Sequence, residues 1–203
     1  MNPAILRGRA LCRGLLVSGL SVGLVAGLCA GLLLPAPAAA ADAAPGGAAA
    51  IDLGQQVPDA QAINEGLFPE DACRELEQAG FKCMGFKPAV RFSLPTATFE
   101  LGSAKLPELL RQQLDRFAEV LRGKKGAGRV VRIEGHADRR GSDELNDRLS
   151  LERALAVKKY LVDNGADPAM LQAVGLGARE LKVGSDPLAA ENRRVEIGRQ
   201  KSP

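Results

Sequence analysis

The stretch that most constrains the fold is residues 129–153, which read R-V-V-R-I-E-G-H-A-D-R-R-G-S-D-E-L-N-D-R-L-S-L-E-R. From Val131 to Asp138, apolar or small residues alternate with polar ones at period two, which predicts a strand. Gly141 and the serine after it break this pattern, and a helix is expected to follow. The sequence therefore predicts a strand–turn–helix unit with Asp138 where the strand ends.

The helix after this turn is predicted to begin at Ser150, which places Arg153 in its first turn. A cation at a helix N-terminus is disfavoured by a few tenths to about 1 kcal/mol, so this arginine calls for an explanation. One explanation is a salt bridge from Arg153 to Asp138 that closes the turn. The other is a binding site, in which Asp138 holds an ammonium while Arg153 and free backbone N–H groups hold a carboxylate. Spacing alone leaves both open.

Several motifs in this part of the chain resemble the core of the OmpA-like peptidoglycan-binding domain family. They are Gly135-His136-Ala137-Asp138, Gly141-Ser142, Asn146, Leu149-Ser150, Arg153-Ala154, Val157 and Tyr160-Leu161. Residues 99–106 resemble the first strand and turn of that family, and residues 175–177 and 192–197 resemble its last two strands. The resemblance extends over about residues 90–199 and follows the family's order.

This resemblance implies non-covalent binding of the peptide stem of peptidoglycan at its diaminopimelate end. Asp138 and Arg153 match the residues that hold the zwitterionic end in the family, Asn146 belongs to the same pocket, and Arg193 is expected to support it. Two features depart from the family. Ala137 replaces the usual threonine and so lacks its hydroxyl, and the segment at 178–191 is short.

The first part of the chain is predicted to be a leader and a tether. Residues 1–41 combine a basic start, an uncharged run and Ala-rich cleavage sites, which is typical of a signal peptide. An uncleaved membrane anchor is the alternative, because the 21 residues at 14–34 could span a bilayer. Cys12 and Cys29 each follow a leucine, which argues against lipidation. Residues 42–61 are predicted to be a flexible Ala/Gly/Pro-rich linker.

A small cysteine-bearing element is predicted over residues 62–88. A short helix should open at Pro69, and Cys73 and Cys83 are expected to form one disulfide in an oxidising compartment. Further metal ligands are not clustered there, and the C-x9-C spacing is not the C-x-x-C of redox sites. Residues 60–88 could pack on the main domain or contact an envelope protein, and the sequence leaves this open.

The main domain is predicted over residues 89–201 with an α+β fold. Strand and helix patterns occur in the order β-α-β-α-β-β, which predicts helices packed on one face of a sheet, and the family fold is this two-layer sandwich. Leu110, Leu114 and Phe117 recur at helical spacing before the central strand. In the last strand, Val195 and Ile197 should point inward.

Composition excludes several functions. Without residues 1–41 the chain has 24 basic and 24 acidic side chains, so its charge favours neither nucleic acid nor an anionic membrane as a partner. The absence of Trp also argues against a stacking site for bases. His136, the only histidine, is expected to be a partly buried residue with backbone partners. With neither a nucleophile motif nor a phosphate loop, we expect no enzyme activity, no cofactor and no metal.

The resemblance implies a protein of the cell envelope that binds the cell wall from the periplasm. Association with the outer membrane is one option. Two alternatives remain: a protein–protein adaptor that keeps the OmpA-like fold without the wall pocket, and a stator-like subunit held by an uncleaved N-terminal helix. The stator class usually carries an acidic residue in its membrane span, and residues 14–34 have none.

Overall fold

The structure, a computed structural model, describes residues 50–85, 87–95, 99–100, 102–124 and 128–200. The predicted signal peptide and the first part of the predicted linker lie outside these residues. Of the helices described, none combines the length and hydropathy that a bilayer span requires.

A five-stranded sheet organises the described part of the chain. Its strands are β1 (Ala50–Asp52), β2 (Arg91–Pro95), β3 (Val131–Gly135), β4 (Leu171–Gly175) and β5 (Arg194–Arg199), and the helices are α1 (Ala60–Leu67), α2 (Pro69–Gln78), α3 (Glu108–Arg122) and α4 (Asp143–Asp163). The strand order is β1-β2-β5-β3-β4. Strand β5 runs antiparallel to both β2 and β3, whereas β1–β2 and β3–β4 are parallel pairs. From β2 onward the predicted β-α-β-α-β-β order is confirmed.

One face of the sheet is apolar and carries the core. Ile133 and Ile197 are directly paired across β3 and β5, and both are fully buried, as predicted for Ile197. The ring of Phe92 on β2 meets Phe117 of α3 edge-on, with centroids 5.4 Å apart. Helices α1, α3 and α4 supply the other side of this core, because each presents a buried apolar stripe at helical spacing.

The predicted linker is partly ordered. Strand β1 pairs in parallel with β2, and the Leu53 N–H donates to the Ser93 carbonyl at 3.0 Å. Helix α1, absent from our prediction, is capped by Asp59, whose side chain accepts from the Ala62 N–H at 2.7 Å. Strand β1 is ordered because it pairs with β2, whose backbone N–H and C=O groups on that edge would otherwise lack partners.

Helix α4 begins eight residues earlier than predicted. Its N-cap is Ser142, whose hydroxyl accepts from the Leu145 N–H at 3.2 Å, and two acidic residues follow it in the first turn. Ser150 lies inside the helix, where its hydroxyl donates to the Asp147 carbonyl three residues back. The prediction that Arg153 lies in the first turn is therefore wrong, and that arginine lies midway along α4.

The cysteine-bearing element packs on the main domain. Helix α2 opens at Pro69 as predicted, and the Cys73–Cys83 disulfide is confirmed. Asp71 forms ion pairs with Lys124 at 2.6 Å and with Arg129 at 2.7 Å. These partners lie just before β3, so α2 is held at the end of the sheet where β3 starts.

Candidate functional site

Two glycines allow α4 to cross closely over the other end of the sheet. Gly135 ends β3 and is paired with Gly175, which ends β4. A Cβ on Gly135 would collide with the Ser150 carbonyl, and one on Gly175 would come within 2.6 Å of the Leu151 nitrogen. Because both positions lack a side chain, the middle of α4 lies directly above the residues that follow β3.

Asp138 lies at this strand end and is almost fully buried. Its Oδ2 accepts from the Arg193 guanidinium at 2.7 Å, and its Oδ1 accepts from the Arg140 N–H at 3.0 Å. The Asn146 side chain donates to the Asp138 carbonyl at 3.1 Å, from the first turn of α4 rather than from a preceding turn. The carboxylate is therefore paired with Arg193 and lies 3.7 Å from the Arg140 guanidinium, and the salt bridge to Arg153, which the spacing had left open, is not formed.

Arg153 is 1% exposed and approaches the same site from α4. Its Nε donates to the Ser103 carbonyl at 3.1 Å, and its guanidinium lies 4.9 Å from the centroid of the Phe99 ring. Within the described ranges, its buried Nη1 has no hydrogen-bond partner, and no carboxylate lies within 4.0 Å of it. Burial, and then the nearby charge of Arg193, lower the pKa of Arg153, whereas Asp138 acts in the opposite direction.

These side chains line one cleft of about 270 Å³. All five predicted binding residues contribute to it, namely Ala137, Asp138, Asn146, Arg153 and Arg193. The cleft also contains Leu145, Arg148, Leu149 and Glu152, which sequence reasoning missed. Their helical spacing after Ser142 was a usable signal, but the wrong helix start concealed it. The cleft thus offers a buried guanidinium, a carboxylate and an apolar wall.

The segment after β4 closes the site on its other side. The Ala137 N–H donates to the Gly177 carbonyl at 2.7 Å, and the Arg139 N–H donates to the Pro187 carbonyl at 2.9 Å. The Asn192 side chain holds the segment together by bonding to backbone groups nearby. Although the segment at 178–191 is short, it fixes the backbone on both sides of Asp138.

His136 is fully buried on the outer face of the sheet, not partly buried as predicted. Neither ring nitrogen makes a hydrogen bond of good geometry to a described residue, although the backbone of Glu180 is near enough to influence the ring. Burial, followed by the charge of Arg194, lowers the pKa of His136 to about 4. The ring is therefore neutral at physiological pH.

Glu134, Glu196 and His136 form the one described cluster whose ligand atoms lie close enough for a metal ion, within 4.8 Å of one another. Arginines already neutralise both carboxylates: Arg91 contacts Glu134 at 2.6 Å, and Arg194 contacts Glu196 at 2.6 Å. Arg132 adds a further contact to Glu134, so both carboxylates already have cationic partners and the cluster is unfavourable for a cation.

Comparison with known proteins gives matches to the part of the chain that holds the cleft. The sequence model of the OmpA family matches residues 98–194. The peptidoglycan-associated lipoprotein of Pseudomonas aeruginosa is 44% identical over 108 residues, which are 52% of this chain and 62% of that protein. The Pseudomonas putida protein of the same name is 42% identical over 108 residues, which are 52% of this chain and 63% of that protein. The chain thus spans a little over three fifths of these relatives.

Among solved structures, the crystal structure of the peptidoglycan-associated lipoprotein from Burkholderia pseudomallei is 29% identical, with a TM-score of 0.45. The alignment covers 50% of this chain and 86% of that chain. The family match ends at residue 194, which is the first residue of β5. Residues 98–194, a little under half of the chain, are therefore similar in sequence to the OmpA family.

Proposed function

We propose that this protein binds peptidoglycan non-covalently, through the diaminopimelate end of its stem peptide, and so organises the cell envelope from the periplasm. The names of its relatives support the broader part of this proposal, since two of them are peptidoglycan-associated lipoproteins. The chemistry of the cleft supports the finer part. No reaction is assigned to the site, because its charged groups hold a ligand without supplying an activated nucleophile.

The observation that carries the proposal is the buried guanidinium of Arg153. A buried charge without a counterion costs several kcal/mol of desolvation, and a folded protein seldom keeps one unless it serves a ligand. Among the described residues of the cleft, Asp138 is paired with Arg193, and Glu152 lies 3.7 Å from Arg148. A carboxylate from the ligand would give Arg153 its counterion and satisfy its free Nη1.

Asp138 provides the complementary half of the site. Diaminopimelate carries an ammonium and a carboxylate on the same terminal carbon, so a receptor needs one group of each charge a few ångströms apart. Asp138 is fixed by hydrogen bonds from Arg140 and Arg193, and its charge acts on Arg153. The ammonium would share Asp138 with Arg193, while the carboxylate of the same centre meets Arg153.

Co-sedimentation with purified diaminopimelate-type peptidoglycan tests the proposal. The wild-type chain should sediment with the wall, whereas Asp138→Asn and Arg153→Met should stay in solution. Arg116→Met is the matched control, because it removes the same charge from an exposed side chain of α3 that does not line the cleft. Circular dichroism establishes that each variant is folded.

The outcomes separate wall binding from the alternatives. If the folded Asp138→Asn and Arg153→Met variants sediment as well as the wild type does, the charged pair is not the binding site. If the wild type itself stays in solution, wall binding is wrong and a protein–protein adaptor becomes the leading function. Loss of sedimentation in Arg116→Met to the same degree would indicate general attraction to the wall polymer.

A further inference from the structure

The described lining of the cleft carries more positive than negative side chains. Four arginines and two carboxylates line it, namely Arg140, Arg148, Arg153, Arg193, Asp138 and Glu152. The terminal centre of diaminopimelate adds one ammonium and one carboxylate, so its binding leaves the excess of positive charge unchanged. Such an excess favours a ligand that carries further negative charge.

Arg148 is held loosely by the protein. Its Nε lies 3.7 Å from a carboxylate oxygen of Glu152, and both side chains are largely exposed. An exposed pair one helical turn apart contributes little to stability, so Arg148 can turn to a ligand at small cost. Arg193 and Arg140, by contrast, both contact Asp138, at 2.7 Å and 3.7 Å.

Arg148 and Arg153 lie at different depths of the cleft. The Arg148 side chain is 71% exposed, whereas Arg153 is 1% exposed, so Arg148 lies at the mouth and Arg153 at the base. The two residues are also separated by roughly 7.5 Å along the axis of α4. The side chain of diaminopimelate places its terminal centre about 5 Å from the peptide backbone, four single bonds away. With that centre at Arg153, the backbone of the peptide would lie near the mouth.

The stem peptide has further carboxylates at this distance from its diaminopimelate end. One is the α-carboxylate of the γ-linked D-glutamate that precedes diaminopimelate, and another is the terminal carboxylate of the D-alanine that follows it. Resting on the proposed wall binding, we propose that Arg148 binds one of these carboxylates and makes the cleft selective for stem peptides in which that group is not amidated. Arg148 thus reads a second charge on the same ligand.

Calorimetry with three synthetic tetrapeptides tests this role in the full chain. All contain L-alanine, γ-linked D-glutamate, diaminopimelate and D-alanine; one has both carboxylates free, one is amidated at D-glutamate and one at the terminal D-alanine. Amidation of the contacted carboxylate should weaken binding to the wild type by about 2- to 5-fold. Arg148→Met should weaken binding of the free peptide by the same factor, and amidation of that carboxylate should then have no further effect. The peptide that shows this coupling identifies the carboxylate.

Arg116→Met is the control, because Arg116 is an exposed arginine of α3 that does not line the cleft, and this variant should respond to amidation as the wild type does. Equal weakening of all three peptides by Arg148→Met would overturn the proposal, since the arginine would then act by general attraction. Unchanged affinities in Arg148→Met would overturn it as well. If Arg153→Met still weakens binding in that case, the proposed wall binding stands and the role of Arg148 alone fails. Absence of binding by the wild type to every peptide would overturn both.

Discussion

Substituting Arg153 by methionine should strongly weaken wall binding and leave the fold almost as stable as before. The guanidinium is buried, with one hydrogen bond to Ser103 and the ring of Phe99 as its described partners. Their loss costs about 1.5–3 kcal/mol for the charged hydrogen bond and about 1–2 kcal/mol for the cation–π contact. Removing a buried charge without a counterion returns several kcal/mol. The free energy of unfolding should therefore change by no more than about 1 kcal/mol.

Binding should respond very differently from stability. A charged hydrogen bond of about 1.5–3 kcal/mol corresponds to a loss of affinity of roughly 10- to 150-fold for the ligand carboxylate. Urea unfolding followed by circular dichroism, with and without a soluble diaminopimelate stem peptide, measures both effects. At a ligand concentration 100 times Kd, the wild type should gain about 2.7 kcal/mol.

Two results would refute this reasoning. If Arg153→Met without ligand lost about 3–5 kcal/mol, the guanidinium would have an internal counterion and its role would be structural. If the stem peptide stabilised the variant as much as the wild type, Arg153 would not contact the ligand. Arg116→Met, which removes an exposed charge of the same sign outside the cleft, should change neither quantity appreciably.

Three other changes test the account. Gly135→Ala should lower the free energy of unfolding by about 1–3 kcal/mol or more in urea unfolding, because its Cβ would collide with α4, whereas Gly184→Ala, in open space, should not. The pKa of His136 is about 4 in the folded chain, below its ordinary value of 6.5. As the pH falls, the unfolded chain therefore binds a proton at this residue before the folded chain does. Stability should decrease from pH 6.5 towards pH 4, by about 3 kcal/mol in total, and unfolding curves of His136→Asn should lack this part of the decrease. Ala137→Thr should raise wall affinity about 2- to 10-fold in co-sedimentation by restoring a hydroxyl beside Asp138, and unchanged or weaker binding would contradict that role.

Local patterns in the sequence were sufficient to predict the main elements of the fold. The alternation through Ile133 identified β3, and the heptad-like spacing of Leu110, Leu114 and Phe117 identified α3. Each pattern records which side of one element faces the core, so it can be recognised within one segment. Strand β1 was missed because three residues that pair at a sheet edge leave no such periodicity.

The start of α4 was predicted wrongly because two serines could each serve as its cap. Ser142 is followed directly by two acidic residues, which favour a helix start, whereas Ser150 lies within an apolar helical pattern that already began at Leu145. This choice also decided the interpretation of Arg153. With the correct start, the argument from free N–H groups at a helix end no longer applies to that residue.

The pairing within the site depended on contacts between distant parts of the chain. Arg193 is 55 residues from Asp138 in sequence, and Ser103 is 50 residues from Arg153. No local periodicity encodes such pairs, so the sequence identified the charged residues of the cleft without showing which pairs they form. The proposed function depends on this pairing, because it leaves Arg153 as the buried guanidinium in the described cleft without a carboxylate.

The most direct test of the central claim compares two stem peptides that differ in a single group. Diaminopimelate and lysine both carry the side-chain ammonium, but lysine lacks the terminal carboxylate that we assign to Arg153. Calorimetry with the two peptides should show that the diaminopimelate peptide binds at least tenfold more tightly, since the lysine peptide leaves the buried guanidinium unpaired. Equal affinities would contradict the account, because the carboxylate would then contribute nothing to recognition.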